Sequence, residues 1–202
     1  MVITRLEKNK GKTYSVYVDD KIVFDVPEFV LMKLDIHVGM ELNEKELDLI
    51  KNQVLISIAK NDVINFVSYK MRTSYEIVQK LKGSYPFEII EEVINYLEEN
   101  GYLNDENYAE KFIIEKKKLG KLSRKALIYK MLEKGIKREI IEDKLNKLNY
   151  DEKEYAKKYA NKVDKVKNKA DVLKTTNSLY RKGFSQSTIK LILKDEYSQG
   201  EE

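Results

Sequence analysis

The sequence predicts a mostly α-helical protein, with three tandem three-helix repeats in an elongated curved array preceded by a small antiparallel β-sheet and helix region. Side chains over the first 26 residues alternate between apolar and polar, which is the period of a β-strand. Farther along, apolar side chains recur with helical period, and the same landmarks return at offsets of 51 and 48 residues. Repeats of this size are too small to be stable alone, so neighbours must stack to complete their cores.

The N-terminal region, residues 1–50, is expected to contain the sheet. Residues 14–19 place Tyr and Val on one face and mainly polar side chains on the other, which predicts a half-buried strand. A turn at residues 19–21 interrupts this alternation, and residues 22–26 resume it, so the two segments form a predicted hairpin. Residues 2–6 are a candidate third strand.

Two helix starts follow the predicted sheet. Pro27 suits the first position of a short helix that extends to about Leu34. Asn43 is followed three residues later by Glu46, which matches a capping box and predicts a helix beginning at Glu44. From there the chain is predicted to be helical almost to its end.

The helical part divides into three repeats, which are predicted at residues 51–103, 104–150 and 151–202. Their alignment rests on three pairs of residues that are nine positions apart: Leu81 and Ile90, Leu132 and Ile141, and Tyr180 and Ile189. The isoleucine of each pair opens the apolar stripe of the last helix of its repeat.

Turn residues mark the ends of the predicted helices. Gly135 and Gly183 are expected to end the middle helices of the second and third repeats in the left-handed conformation, which costs glycine nothing. Asp105 and Asp151 are expected to cap the first helices of these repeats.

Composition narrows the class of protein. Charged residues make up 36% of the chain and cysteine is absent, so disulfides and cysteine-ligated zinc are excluded and a cytoplasmic location is expected. Neither a signal peptide nor an apolar stretch of about 18 residues is present, so no membrane partner is expected. Positive charge concentrates in residues 104–150, which carry 13 basic and 8 acidic side chains, and this asymmetry favours an acidic partner.

Several local motifs occur in order along residues 71–150. They are Met71-Arg72-Thr73-Ser74, then Gly101-Tyr102-Leu103-Asn104-Asp105 with Tyr108-Ala109 and Phe112, then Leu132-Glu133-Lys134-Gly135-Ile136. Each motif alone is weak, but the ordered set inside repeats of similar length resembles the RecX family. The resemblance is close over about half of the chain and looser in the sheet and the third repeat.

The resemblance implies a macromolecular partner rather than a substrate. RecX proteins bind filaments of the RecA recombinase on DNA and usually restrain filament extension, ATP hydrolysis and strand exchange, in DNA repair, recombination and the SOS response. The expected protein is therefore a non-enzymatic regulator that acts as a monomer on a RecA filament, with contact to single-stranded or double-stranded DNA left open. An elongated helical array would suit such a partner.

The candidate contact residues form one dense basic group and one isolated arginine. The group comprises Lys116, Lys117, Lys118, Lys121, Arg124 and Lys125, and the isolated residue is Arg72, which belongs to the family-like motif. The basic group either contacts DNA phosphates or acidic protein surface, or is a solvated turn whose lysines suit a helix C-terminus. Arg72 is equally open to a contact role and a structural one, and the neighbouring Thr73 with Glu76 predicts a second capping box.

No catalytic, cofactor or metal site is predicted. His37 is the only histidine, beside a predicted turn, with no nucleophile nearby in sequence, and the chain has no Gly-rich phosphate loop.

Two rival classes of function remain open. Three-helix units with glycine turns also suit a sequence-nonspecific DNA-binding protein, although Glu139, Glu142 and Asp143 in the would-be recognition helix would repel phosphates. The other class is a general helical scaffold for another protein.

Overall fold

The computed structural model describes residues 1–120, 122–163 and 169–198, with backbone alone at 161–163, 169–170 and 194–198. The chain divides into two compact units, Met1–Leu103 and Asn104–Glu202. The first unit contains β1 (Ile3–Lys8), β2 (Thr13–Val18), β3 (Lys21–Pro27), α1 (Glu28–Lys33), α2 (Glu44–Tyr69), α3 (Ser74–Leu81) and α4 (Phe87–Glu99). The second contains α5 (Asp105–Leu119), α6 (Arg124–Leu132), α7 (Arg138–Lys147), α8 (Glu152–Val163), α9 (Lys169–Arg181) and α10 (Gln186–Ser198).

The three strands form one antiparallel sheet in the order β1-β2-β3, which confirms the hairpin and the third strand. Val18 pairs with Lys21, so only Asp19 and Asp20 form the turn, and both have positive φ (48° and 64°). Such a two-residue turn matches the right-handed twist of the strands, and Asp tolerates the conformation better than most residues.

Helix α2 contributes to two hydrophobic cores. Its first half packs Leu47 and Val54 against the sheet, together with Val16 and Val26. Its second half packs Ala59 and other small apolar residues against α3 and α4. The predicted boundary between residues 50 and 51 therefore falls inside a single continuous helix.

Both predicted capping boxes are present. The side chain of Asn43 accepts a hydrogen bond from the backbone N–H of Glu46, and the Glu46 carboxylate accepts one from the backbone N–H of Asn43. Thr73 and Glu76 make the same reciprocal pair at the start of α3. These pairs satisfy backbone donors that an uncapped helix leaves without partners.

The second unit contains two successive three-helix repeats. Helices α5, α6 and α7 pack around Ile113, Leu127 and Ile141, all fully buried, and α8 packs on both α9 and α10. The mostly helical architecture with an N-terminal sheet agrees with the class predicted from sequence. Gly135 and Gly183 have φ of 75° and 81° in the turns after α6 and α9, as predicted.

The repeat alignment was wrong by one residue in the middle helices. Leu132 and Tyr180 are exposed, whereas Met131 and Leu179 are buried at the position that Leu81 occupies in the first repeat. The gapless alignment was anchored on the last helices, but α6 has nine residues where α3 has eight. Leu81 and Met131 lie the same number of residues after their N-caps, Thr73 and Ser123. The additional residue of α6 therefore follows the buried one, and an alignment counted back from the last helix misses it by one position.

One predicted cap also lies one residue away from its expected position. Asn104, rather than Asp105, caps α5 and accepts a 2.8 Å hydrogen bond from the backbone N–H of Asn107. Asp105 is the first residue of the helix, where its negative charge still favours the N-terminal dipole. Asp151 accepts a bond from the backbone N–H of Lys153 at the start of α8, as expected.

Candidate interaction surface

Arg72 is held by contacts within the first unit. Its guanidinium carbon lies 3.7 Å from the centre of the Phe66 ring, and its Nε donates a 3.3 Å hydrogen bond to the Phe66 carbonyl. Its Nη1 also lies 3.6 Å from the Glu76 carboxylate, and only 18% of the side chain is exposed. These contacts join the end of α2 to the start of α3.

Arg124 is the first residue of α6, an unfavourable place for a cation because the helix dipole is positive there. The structure explains its position. Its guanidinium Nη2 donates hydrogen bonds to Glu142 (2.7 Å) and to the side-chain oxygen of Asn146 (2.9 Å), both on α7. A charge-assisted pair of this kind compensates for the dipole and ties α6 to α7.

Two lysines at the end of α5 also have partners within the second repeat. Lys117 Nζ donates a 2.9 Å hydrogen bond to the carbonyl of Leu148, which lies at the C-terminus of α7. Lys116 lies 2.6 Å from the Glu115 carboxylate, and its ammonium is 5.0 Å from the centre of the Phe112 ring. A lysine at a helix C-terminus satisfies free carbonyls and suits the dipole.

Lys118 and Lys125 are the most exposed of the basic-group residues that the structure describes. Their side chains face solvent from the end of α5 and the start of α6, and no ion pair to either is found among the residues the structure describes. Lys121 lies outside the described residues. Of the six predicted contacts that the structure describes, Lys118 and Lys125 thus have the greatest freedom to meet a partner.

A groove of about 860 Å³ lies between the second and third repeats. Its apolar side chains come from α6, from α9 and from the turn after α9, and its basic ones come from the starts of α6 and α7. The groove is lined by Ile128, Tyr129, Leu132, Tyr180, Lys125 and Arg138, among others. Sequence reasoning missed this groove, although α6 carried a signal: it places apolar residues on both its buried and its exposed faces.

Glu152 lines this groove and connects the two repeats. Its Oε2 accepts a 3.0 Å hydrogen bond from the backbone N–H of Arg124, at the start of α6. Its Oε1 accepts bonds from the hydroxyl groups of Ser185 and Thr188 (both 2.8 Å), at the start of α10. One carboxylate therefore serves two helix N-termini.

The environment of Glu152 changes its acidity. Desolvation raises the pKa of the carboxyl, but the hydrogen bonds from Thr188, Ser185 and the backbone of Arg124 together outweigh it. The pKa of Glu152 therefore lies below its ordinary value. The ionised form is the one that the two helix starts hold.

No group of three or more His, Asp or Glu side chains that could hold a metal ion occurs among the described residues. His37 is exposed, and its Nδ1 lies 3.1 Å from the carbonyl of the neighbouring Val38. In the part of the chain that the structure describes, no helix is long and apolar enough to cross a bilayer.

Comparison with protein families identifies two of the repeats. Residues 59–97 match the family model described as "RecX, first three-helix domain", and residues 104–145 match "RecX, second three-helix domain". The first match covers the last part of α2, all of α3 and most of α4, and the second extends from Asn104 into α7.

Relatives and solved structures extend the likeness to almost the whole chain. The chain is 32% identical to "Regulatory protein RecX" of Caldanaerobacter subterraneus over 96% of its length and 98% of the relative. It is 28% identical to the protein of the same name from Clostridioides difficile, over 95% and 94%. A crystal structure of regulatory protein RecX superposes with a TM-score of 0.71, at 28% identity, over 96% of this chain and 98% of that one.

A RecX structure from Lactobacillus salivarius gives a TM-score of 0.63 at 28% identity, over 70% of this chain and 96% of that one. Sequence and fold thus agree on relatives that span the sheet and the helical repeats together. The capped three-helix repeats, their glycine turns and the preceding sheet are those of a regulatory protein of the RecX family, to which this chain belongs.

Proposed function

We propose that this protein is a non-enzymatic regulator that binds RecA filaments on DNA and restrains their extension, ATP hydrolysis and strand exchange. The observation that carries the proposal is the likeness to regulatory RecX proteins over 96% of the chain. The proposed setting is the cytoplasm, in recombination, DNA repair and the SOS response, with the protein acting as a monomer and without a cofactor.

The exposed cations suit a partner that carries negative charge. Residues 104–202 contain 25 basic and 17 acidic side chains. Since Arg124 and Lys117 bind groups of their own repeat, the steering of a negatively charged filament falls mainly to Lys118, Lys125 and, by sequence, Lys121. Exposed charges of this kind raise association rates and make affinity depend on salt.

A second candidate function is sequence-nonspecific DNA binding by the repeats alone. The acidic side chains of α7 count against it. Glu142 is bound by Arg124 and lies 3.7 Å from Arg138, while Asp143 pairs with Lys147 at 2.9 Å. This pairing leaves the face of α7 with little net positive charge, whereas a phosphate-binding helix needs a cationic one.

The decisive experiment measures ATP hydrolysis by purified RecA on single-stranded DNA while this protein is titrated in. We expect inhibition when the concentration of this protein is well below that of the RecA-binding sites on the DNA. A protein that blocks extension acts on filament ends or on several RecA protomers at once. Fluorescence anisotropy with a labelled oligonucleotide, without RecA, tests the rival function. Tight oligonucleotide binding combined with no effect on RecA would favour DNA binding over regulation of the RecA filament.

A further inference from the structure

The groove between the second and third repeats has an exposed apolar wall that the helix core does not require. Leu127 and Met131 already form the buried stripe of α6. On another face of the same helix, Tyr129 is 63% exposed and Leu132 is 36% exposed. Tyr180, 64% exposed, contributes from α9. A second, exposed apolar face on a helix is typical of a binding surface, because a face that contacts only solvent is normally polar.

The charge of the exposed side chains around this wall is positive. Lys125 is exposed at the groove, and Arg138, at the start of α7, is 61% exposed although it lies 3.7 Å from the Glu142 carboxylate. The carboxylate of Glu152, which also lines the groove, already accepts hydrogen bonds from Arg124, Ser185 and Thr188. An incoming negative charge therefore meets exposed cations, and the oxygens of the one carboxylate that lines the groove are already occupied by hydrogen-bond donors.

We propose that this groove binds an acidic segment of a protein partner, with a large apolar side chain inserted between Tyr129, Leu132 and Tyr180. The carboxylates of the segment would lie beside Lys125 and Arg138. The groove is mainly apolar, and two of its three cations, Lys125 and Arg138, are exposed, which suits one apolar anchor with flanking acidic residues. A nucleic acid strand would instead require a continuous cationic track along successive phosphates.

The inference rests on the proposed function for the identity of the partner, which is taken to be the protein of the recombinase filament. The first test is inhibition of recombinase ATP hydrolysis by the variant Tyr129→Ala/Leu132→Ala. We expect the half-inhibitory concentration to rise roughly tenfold or more, since apolar anchors at the centre of an interface carry most of its affinity. Lys125→Glu is expected to raise it about fivefold.

Two control variants change matched residues outside the groove. Tyr69→Ala removes a tyrosine that is 89% exposed at the end of α2, and Lys111→Glu reverses an exposed charge on α5. Both are expected to inhibit like the wild-type protein. Circular dichroism is expected to show all variants folded, because each altered side chain is exposed to solvent.

A photo-crosslinking amino acid at position 129 identifies the occupant directly. In a defined mixture of this protein, recombinase and single-stranded DNA, we expect a covalent adduct with the recombinase, within a peptide of net negative charge that contains a large apolar residue. An adduct with DNA, an adduct with a non-acidic peptide, or groove variants that inhibit like the wild type would each overturn the inference. If the wild-type protein had no effect on the recombinase, the proposed function would be wrong, and the recombinase would also be wrong as the partner of the groove.

Discussion

The hydroxyl group of Ser123 donates a 2.9 Å hydrogen bond to the backbone carbonyl of Lys182, across the junction of the second and third repeats. The same oxygen accepts a bond from the backbone N–H of Ala126 and so caps α6. The approach is close enough that a Cβ atom at Gly183 would lie 3.0 Å from Ser123 Oγ. Gly183 thus satisfies two requirements, a positive φ and the absence of a side chain.

Gly183→Ala is expected to lower the free energy of unfolding by roughly 2 kcal/mol, from left-handed strain together with crowding against Ser123. A double-mutant cycle with Ser123→Ala separates the two causes. In that background the Cβ atom has room, so the penalty at Gly183 should fall by about 1 kcal/mol. Urea unfolding of the four proteins measures this difference, and a penalty that stays the same would show that crowding has no part.

Glu152→Gln is expected to destabilise the second unit by about 1–3 kcal/mol, because charge-assisted hydrogen bonds to two helix starts are weakened. Glu154→Gln is the control, since Glu154 is exposed and pairs, among the described residues, with the exposed Lys158 on the same helix. Unfolding should be followed by urea titration at neutral pH. Equal losses in the two variants would contradict the role of Glu152.

The same carboxylate predicts a dependence on pH. The pKa of Glu152 is lowered in the folded state, so its contribution to stability is fully present above the unfolded value, near 4.5, and is lost as pH falls through the folded pKa. The difference in stability between wild type and Glu152→Gln should therefore shrink as the solution is acidified below about pH 4.5. A difference that grows on acidification would have the wrong sign.

Lys118→Gln/Lys125→Gln is expected to leave the unfolding free energy within about 0.5 kcal/mol of wild type, because both side chains are exposed. Affinity for the RecA filament should weaken and its dependence on salt should become shallower. Lys117→Gln is the matched comparison: it loses the bond to the Leu148 carbonyl, so it should reduce stability. Unchanged filament affinity of the double variant at every salt concentration would remove these two lysines from the interface.

Arg72→Ala is expected to cost about 1–2 kcal/mol of stability, from lost packing on Phe66 and the lost pair with Glu76. Arg72→Lys should recover only part of this, since an ammonium cannot stack on a ring as a planar guanidinium does. Lys70→Ala, at an exposed neighbouring position, is the control. A fully stable Arg72→Ala protein with impaired regulation would instead favour the contact role.

Local signals in the sequence were sufficient for much of the fold. Alternation predicted the three strands, and Asn43 and Thr73 predicted their capping boxes, because these interactions lie within a few residues. The register of Met131 and Leu179 could not be read from an alignment anchored on the neighbouring helix, since in both later repeats the buried residue lies one position farther from that helix than in the first repeat.

The candidate site was less accessible to sequence reasoning. The basic group was visible, but the partners of Arg124 and Lys117 lie 22 and 31 residues away, so their pairing depends on tertiary packing. The groove and the position of Glu152 depend on how two repeats stack. The two apolar faces of α6 were the one local sign of the groove.

The continuity of α2 has a consequence for how the first unit unfolds. A backbone cut near residue 50 would divide one helix between Leu47, which packs on the sheet, and Ala59, which packs on α3 and α4. Neither piece would retain a closed core, so the sheet and the first repeat should melt in a single cooperative transition and show similar hydrogen-exchange protection. Limited proteolysis should accordingly spare α2 and leave residues 1–103 as one resistant fragment.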